Sequence, residues 1–172
     1  MILETERLIL RKMTLEDAPF ILQLVNDTSW LKYIGDKNVN SIQDAQQYIE
    51  DKILNQYKVH GFGFYLVTAK VENIPIGISG FIKRPSMVEA ETGFAFLPIG
   101  AGKGYAFEST KAILEFGKKT LNISKIVAIT DPNNANSQKI LKRLGLKSNG
   151  LIQLTEFKKP LRFVYLKLKR LH

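Results

Sequence analysis

Gly100-Ala101-Gly102-Lys103-Gly104-Tyr105-Ala106 stands between an apolar, strand-like run and a helix-like one. Three glycines in five residues give a backbone that reaches positive φ and approaches a ligand closely, because no Cβ stands in the way. The helix that follows begins with unpaired N–H groups and the positive end of its dipole, so a phosphate or pyrophosphate is its natural guest. The segment is not a Walker A loop, since Lys103 is followed by Gly104 rather than Ser or Thr. Neither does it carry the dinucleotide spacing Gly-x-Gly-x-x-Gly: Phe107 stands where the third glycine belongs. It also lies mid-chain after three strands, whereas a Rossmann fingerprint follows a first strand.

Upstream, residues 63–70 and 74–83 read as strands joined at Glu72-Asn73, and residues 89–97 as a third after a loop holding Pro85 and Ser86. Nearer the N-terminus, Leu8-Ile9-Leu10-Arg11 is a short strand, and Thr14-Leu15-Glu16-Asp17 is a capping box opening a helix that runs to near Asp27. Ser41 caps a second helix, whose stripe of Ile42, Ala45, Ile49 and Ile53 continues to about Gln56. The stretch between, through Trp30, Tyr33 and Gly35, reads as irregular. Downstream, Tyr105, Ser109, Ala112, Ile113 and Phe116 form a helical stripe, residues 123–130 a buried strand, and Asp131-Pro132-Asn133-Asn134 a turn. A last helix carries Ile140, Leu141 and Leu144 and stops at Gly145. Residues 148–157 and 161–168 read as strands split by Lys158-Lys159-Pro160.

This order predicts one α/β domain over residues 1–172, a mixed and mostly antiparallel sheet flanked by about four helices. The chain has 172 residues, enough for one sizeable core. Its formal net charge of +9 favours anionic partners, from coenzyme phosphates to nucleic acid. Without cysteine, disulfides, thiolate metal sites and cysteine nucleophiles are excluded, and two histidines make no metal cluster, so no metal is expected. The acidic opening Met1-Ile2-Leu3-Glu4-Thr5-Glu6 and the lack of a long apolar run predict a cytoplasmic protein with no membrane partner.

Glu91-Thr92-Gly93-Phe94-Ala95-Phe96-Leu97-Pro98, followed by Gly102-Lys103-Gly104-Tyr105-Ala106-Phe107-Glu108, resembles the acetyl-CoA-binding motif of the GNAT N-acetyltransferases. More narrowly it resembles the branch containing the ribosomal-protein N-terminal acetyltransferases. Thr5-Glu6-Arg7-Leu8-Ile9-Leu10-Arg11 is similar to that branch's opening strand, Pro75-Ile76-Gly77-Ile78-Ser79-Gly80 to a later strand, and Asn134-Ala135-Asn136-Ser137 with Leu141-Lys142-Arg143-Leu144-Gly145-Leu146 to its closing motif. The family loop often begins with Gln or Arg where this chain has Ile99, its closing Phe is Leu146 here, and the tyrosine that many relatives use as proton donor is missing after it.

The resemblance implies acetyl-CoA as cosubstrate, with the pyrophosphate on the amides of Gly102, Lys103, Gly104, Tyr105 and Ala106 and the pantetheine along Phe96 and Leu97. It implies that Asn134 bonds the pantetheine arm or caps a helix, and that Ser137 protonates the departing thiolate or supports the helix end. An attacking amine must lose a proton, so a carboxylate is expected as base. Glu91 is the first candidate and Glu89 the second, placed by alternation on one face; a backbone amide near Phe96 would supply the oxyanion donor. Trp30, Tyr33, His60 and Phe62 fall in regions that line the acceptor cleft in relatives. The implied activity is direct ternary-complex transfer to a primary amine, a protein N-terminus being favoured over a small amine because a basic chain repels polycations. A ribosome-borne N-terminus or a small molecule is the expected partner, and the chain a monomer or homodimer. The rivals are a non-catalytic acyl-CoA sensor and a basic nucleic-acid-binding module built on Lys118-Lys119, Lys158-Lys159, Lys167, Lys169 and Arg170.

Overall fold

Alternating apolar residues give one sheet two buried faces, and each face collects its own helices. The computed structural model describes residues 1–167. Its strands are β1 (Leu3–Glu4), β2 (Leu8–Lys12), β3 (Phe64–Ala69), β4 (Ile74–Ile82), β5 (Ala90–Phe96), β6 (Lys125–Thr130), β7 (Lys147–Ile152) and β8 (Leu161–Lys167). They form one sheet in the order β1-β2-β3-β4-β5-β6-β8-β7. Every neighbouring pair is antiparallel except β5 and β6. That parallel pair needs a crossover, which is the helix α5 (Tyr105–Lys119).

On one face α5 packs Tyr105, Ile113 and Leu114 over Leu8, Leu10, Tyr65, Val67, Ile76 and Phe81. On the other face lie α1 (Ala18–Val25), α2 (Thr28–Tyr33), α3 (Ile42–Ile49) and α4 (Asn55–His60), with Ile21, Leu24, Ile49 and Ile53 against Leu66, Ile78 and Leu97. The last helix, α6 (Ala135–Arg143), buries Leu141 in the α5 cluster.

Three details differ from the sequence expectation. The stretch around Trp30 and Tyr33 is helical, because the Asp27 carboxylate accepts from Ser29 N–H at 3.0 Å and starts α2. The helix expected to end near Gln56 runs on to His60 through a π-helical turn, Glu50–Leu54. Ala45, Ile49, Ile53 and Tyr57 recur every four residues, which drifts about 40° per step on a 3.6-residue helix; the wider turn absorbs that drift. The strand expected through residue 157 ends at Ile152, and Leu168 of its partner lies outside the described residues. Of the basic positions in the nucleic-acid reading, Lys169 and Arg170 also lie outside, while Lys159 is paired with Asp131 and Lys119 with Glu115.

The β3–β4 contact is tight enough to exclude a methyl group. A Cβ on Gly80 would stand 2.2 Å from the carbonyl oxygen of Gly63 and 2.8 Å from Phe64 Cα, both backbone. Gly80→Ala is therefore expected to cost about 1–3 kcal/mol by overpacking. A fall in the urea midpoint at unchanged slope would show it.

Candidate active site

Strands β5 and β6 part company soon after they meet. Only Ala90 with Ile126 and Glu91 with Val127 are in register, so from Thr92 to Phe96 the β6-facing edge of β5 has no strand partner. Leu97 N–H is donated to Ile76 O at 2.9 Å, toward β4, so alternation turns Phe96 N–H the other way, into the gap. A cleft of about 1150 Å³ occupies this gap and continues onto the α1–α4 face. Leu97 does not share the open edge expected of it: its amide is taken by Ile76 and its side chain is buried.

At one end of the gap lies the glycine loop. Gly102 and Gly104 have φ of 73° and 79°, where a side chain would be strained, and nothing stands within 4 Å of a Cβ on Gly102. Gly104 is the N-cap of α5 without a side-chain cap, and the first bond of the helix is Glu108 N–H to Gly104 O. The amides of Tyr105, Ala106 and Phe107 are left for a guest. A diphosphate fits this cradle on both counts, backbone shape and field.

The loop is held from a distance in sequence. Arg7 donates from Nη1 to Lys103 O at 2.9 Å and from Nε to Glu108 Oε2 at 2.7 Å, and its guanidinium lies 4.6 Å from the Tyr105 ring centre. Glu108 also accepts from Thr5 Oγ1 at 2.6 Å and Arg7 N–H at 3.0 Å. Burial opposes ionisation of Glu108, but the bonds from Thr5 and Arg7 outweigh it and hold its pKa below the usual glutamate range. In the sequence Thr5 and Arg7 carry only the resemblance of the opening strand. Their pairing with a residue about a hundred positions away leaves no local signal.

Across the gap, α6 begins at Asn134, whose side chain accepts from Ser137 N–H at 3.1 Å. Capping is thus what the structure gives Asn134, and both residues line the cleft. Ser137 Oγ makes no hydrogen bond among the described residues and is free for another partner.

On the α1–α4 side stands Glu91, 5% exposed, lining the cleft. Arg84 holds it in a two-point pair, Nε to Oε2 at 2.5 Å and Nη2 to Oε1 at 3.3 Å. Burial raises the Glu91 pKa above the usual carboxylate range, and Arg84 offsets this only in part. Glu89 shares its parity but precedes the strand, bonds Lys125 Nζ at 2.7 Å and stays outside the cleft. Trp30, Tyr33 and His60 line the cleft. Phe62 does not: it packs edge-on against Phe81, 5.8 Å between ring centres, on the α5 face. Arg84 and Tyr48, both lining the cleft, had no sequence signal because their places depend on loop and helix packing.

Comparison with known proteins agrees with this geometry. Residues 7–147 match the family described as acetyltransferase (GNAT) domain. This chain is a GNAT acetyltransferase. An N-acetyltransferase of Bacillus subtilis, YnaD, whose role is uncharacterized, is 30% identical over 149 residues, 87% of this chain and 84% of its own. The ribosomal-protein-uS5 alanine N-acetyltransferase of Escherichia coli is 29% identical over 101 residues, 57% of this chain and 52% of its own. Among solved structures, the ribosomal α-N-protein acetyltransferase RimL in complex with coenzyme A superposes with a TM-score of 0.83 at 18% identity, covering 97% of both chains. That identity speaks for the fold. As a GNAT protein the chain is an acetyl-CoA-dependent acyltransferase, resembling the ribosomal-protein branch. No helix among the described residues is long and apolar enough to cross a membrane.

The anchor on this GNAT loop carries a pH signature. A carboxylate with a depressed folded pKa adds stability above its unfolded value, near 4.3, and loses it as pH falls through the folded value. Wild type should therefore lose more stability than Glu108→Gln between pH 5 and about pH 3, measured by thermal unfolding across that range.

Proposed function

We propose that this GNAT protein acetylates a primary amine, with a peptide or protein N-terminus favoured, by direct transfer within a ternary complex. The observation that carries this is the cleft itself: an unpaired strand edge and a glycine cradle at one end, and a buried carboxylate of raised pKa at the other. Gly102, Lys103, Gly104, Tyr105 and Ala106 hold the coenzyme diphosphate through their amides, and Phe96 pairs with the pantetheine as one strand pairs with an added one. Lys103 gives its amide rather than its side chain, which leans toward Glu72 and the Tyr105 ring. Arg7 and Glu108 position the loop without touching the reacting atoms.

The thioester supplies an activated acyl carbon, and the chain's residues handle the protons. Glu91 accepts the proton of the incoming ammonium, directly or through water, so that the free nitrogen attacks; its raised pKa makes it a stronger base than an ordinary carboxylate. Phe96 N–H faces the developing oxyanion. As the C–N bond forms and the C–S bond breaks, Ser137 Oγ gives its proton to the sulfur, the acylated nitrogen releases its second proton to solvent, and Ser137 regains one from there. Trp30 and Tyr33 bound the space for the acceptor. The acceptor preference draws on the uS5-alanine relative, on the room in the cleft, and on a +9 chain that repels polycations. A small-molecule amine is the second reading, since aminoglycoside acetyltransferases share the fold, one with a TM-score of 0.77.

Thiol release from acetyl-CoA, followed over N-terminal peptides, amino acids, aminoglycosides and polyamines with mass spectrometry of the product, tests the whole reading. Transfer to peptide amines is expected. Coenzyme A that gives neither heat in calorimetry nor a thermal shift would end it.

Glu91 makes a sharper expectation. Neutral Glu91 accepts no proton, so kcat/KM should rise with pH through a limb above the usual carboxylate range. Glu91→Gln should lower kcat about 10²- to 10⁴-fold and abolish that limb, with coenzyme A affinity kept. An unchanged profile would assign the base elsewhere.

A further inference from the structure

Two buried side-chain polar atoms have no hydrogen-bond partner among the described residues, Trp30 Nε1 and Arg162 Nε. An arginine has four further N–H donors to engage, whereas an indole has one. Trp30 also lines the cleft, and Arg162 does not. A buried donor left unpaired forfeits the hydrogen bond it makes to water in the unfolded chain, and nothing repays that until a partner arrives.

The surroundings of Trp30 fix the side from which that partner comes. Trp30 is 6% exposed and packs into the apolar cluster of Leu24, Val25, Ile49, Ile78 and Leu97, none of which has a side-chain acceptor. The partner therefore has to come from the cleft. Ala95 packs on the same cluster and shares a face of β5 with Glu91 by alternation. Trp30 thus stands on the acceptor side, by the end of β5 where Phe96 turns its amide into the gap, with Glu91 farther up the strand. Nε1 itself is closed to solvent. The helix that carries it is lightly held: α2 has six residues and runs into residues 35–40, which lack regular structure and are mostly exposed, so the ring edge is free to turn outward.

We infer that Trp30 binds the acceptor, its indole N–H donating to a carbonyl oxygen next to the amine that is acetylated. The acceptor is then an α-amino carbonyl compound, such as a peptide N-terminus. The inference rests on the reading of this cleft as an amine-acetylating site and names the acceptor's chemical class within it. An indole N–H gives a hydrogen bond and takes none, so a protonated polyamine, which has only donors, does not satisfy it. A hydroxyl oxygen would accept but would bring a proton of its own, for which the apolar wall has no acceptor. A carbonyl bonded to Trp30 leaves the amine, one carbon farther along, to turn between Glu91 and the thioester.

Trp30 is the only tryptophan in the chain, so its indole N–H gives a single resonance in a proton–nitrogen correlation spectrum. Three acceptors decide the matter on the isotope-labelled wild-type protein with coenzyme A bound. They are a peptide beginning with alanine, its analogue with an ester as the first linkage, which keeps the carbonyl, and its analogue with a trans alkene there, which removes it. The peptide and the ester should move the indole proton downfield, and the alkene should not. An indole signal that the peptide leaves in place, or that all three move alike, overturns the inference and leaves acetyl transfer standing. Under turnover with acetyl-CoA, peptide and ester should exceed the alkene in kcat/KM, and Trp30→Phe should shrink that excess about 10- to 100-fold. Comparing the ratio in the two proteins cancels the different basicity of the amines. An unchanged excess in Trp30→Phe, with KM for acetyl-CoA showing that the variant is folded, would equally overturn it. If the carbonyl compounds move the indole signal yet none is acetylated, the transfer reading fails and the carbonyl site stands.

Discussion

Two strands that meet over two residues and then diverge are the constraint behind the rest of this structure. Backbone N–H and C=O groups are obligatory hydrogen-bonding groups, so an unpaired strand edge inside a fold must meet water or a guest. Here the divergence sits where the sheet changes from antiparallel to parallel pairing, since β5 and β6 are joined through α5 rather than a hairpin. One crossover thus produces two features together: an open edge on β5 and a helix N-terminus beside it. A linear ligand with amides along its middle and a diphosphate at its end is complementary to both.

That complementarity survives only if the loop keeps its place. Gly102 and Gly104 permit the shape, but permissive residues are also mobile ones in the absence of restraints. Arg7 supplies the restraint by bonding the loop carbonyl of Lys103 and the Glu108 carboxylate. Glu108 would otherwise set a negative charge in the first turn of α5, close to an anionic guest; pairing with Arg7 and Thr5 keeps it from opposing that guest. An acidic first turn and an anion site coexist because the first strand turn of the chain comes back to neutralise one of them.

Much of this is legible in the sequence. Period-two alternation locates β3, β4 and β5, the glycines locate the loop, and the cap that the structure shows at Asn134 is one of the two roles the sequence leaves open for it, since each signal is local. What failed was non-local or weakly patterned. The helix through Trp30 was hidden by aromatics, although Asp27-Thr28-Ser29 carried its start. Leu97 turns its amide away from the open edge because register, not composition, decides which way an amide points. Phe62 stands just past the left-handed Gly61 that ends α4, and the chain's direction there sends it to the α5 face. Glu91 is legible from its place in a strand, yet Arg84, which orients it, lies in a loop without any motif.

The electrostatics of Glu91 connect the fold to the chemistry proposed for it. Buried carboxylates are usually neutralised by a matched cation, and a fully compensating guanidinium would hold the group ionised with little appetite for a proton. Burial outweighs Arg84 here, so the carboxyl keeps a raised proton affinity while remaining oriented by two bonds. The bond from Nη2 is the longer one at 3.3 Å, so Oε1 is the less committed oxygen and the one able to take a proton. Orientation and basicity pull against each other in an ion pair, and unequal sharing of the two oxygens is the arrangement that retains both.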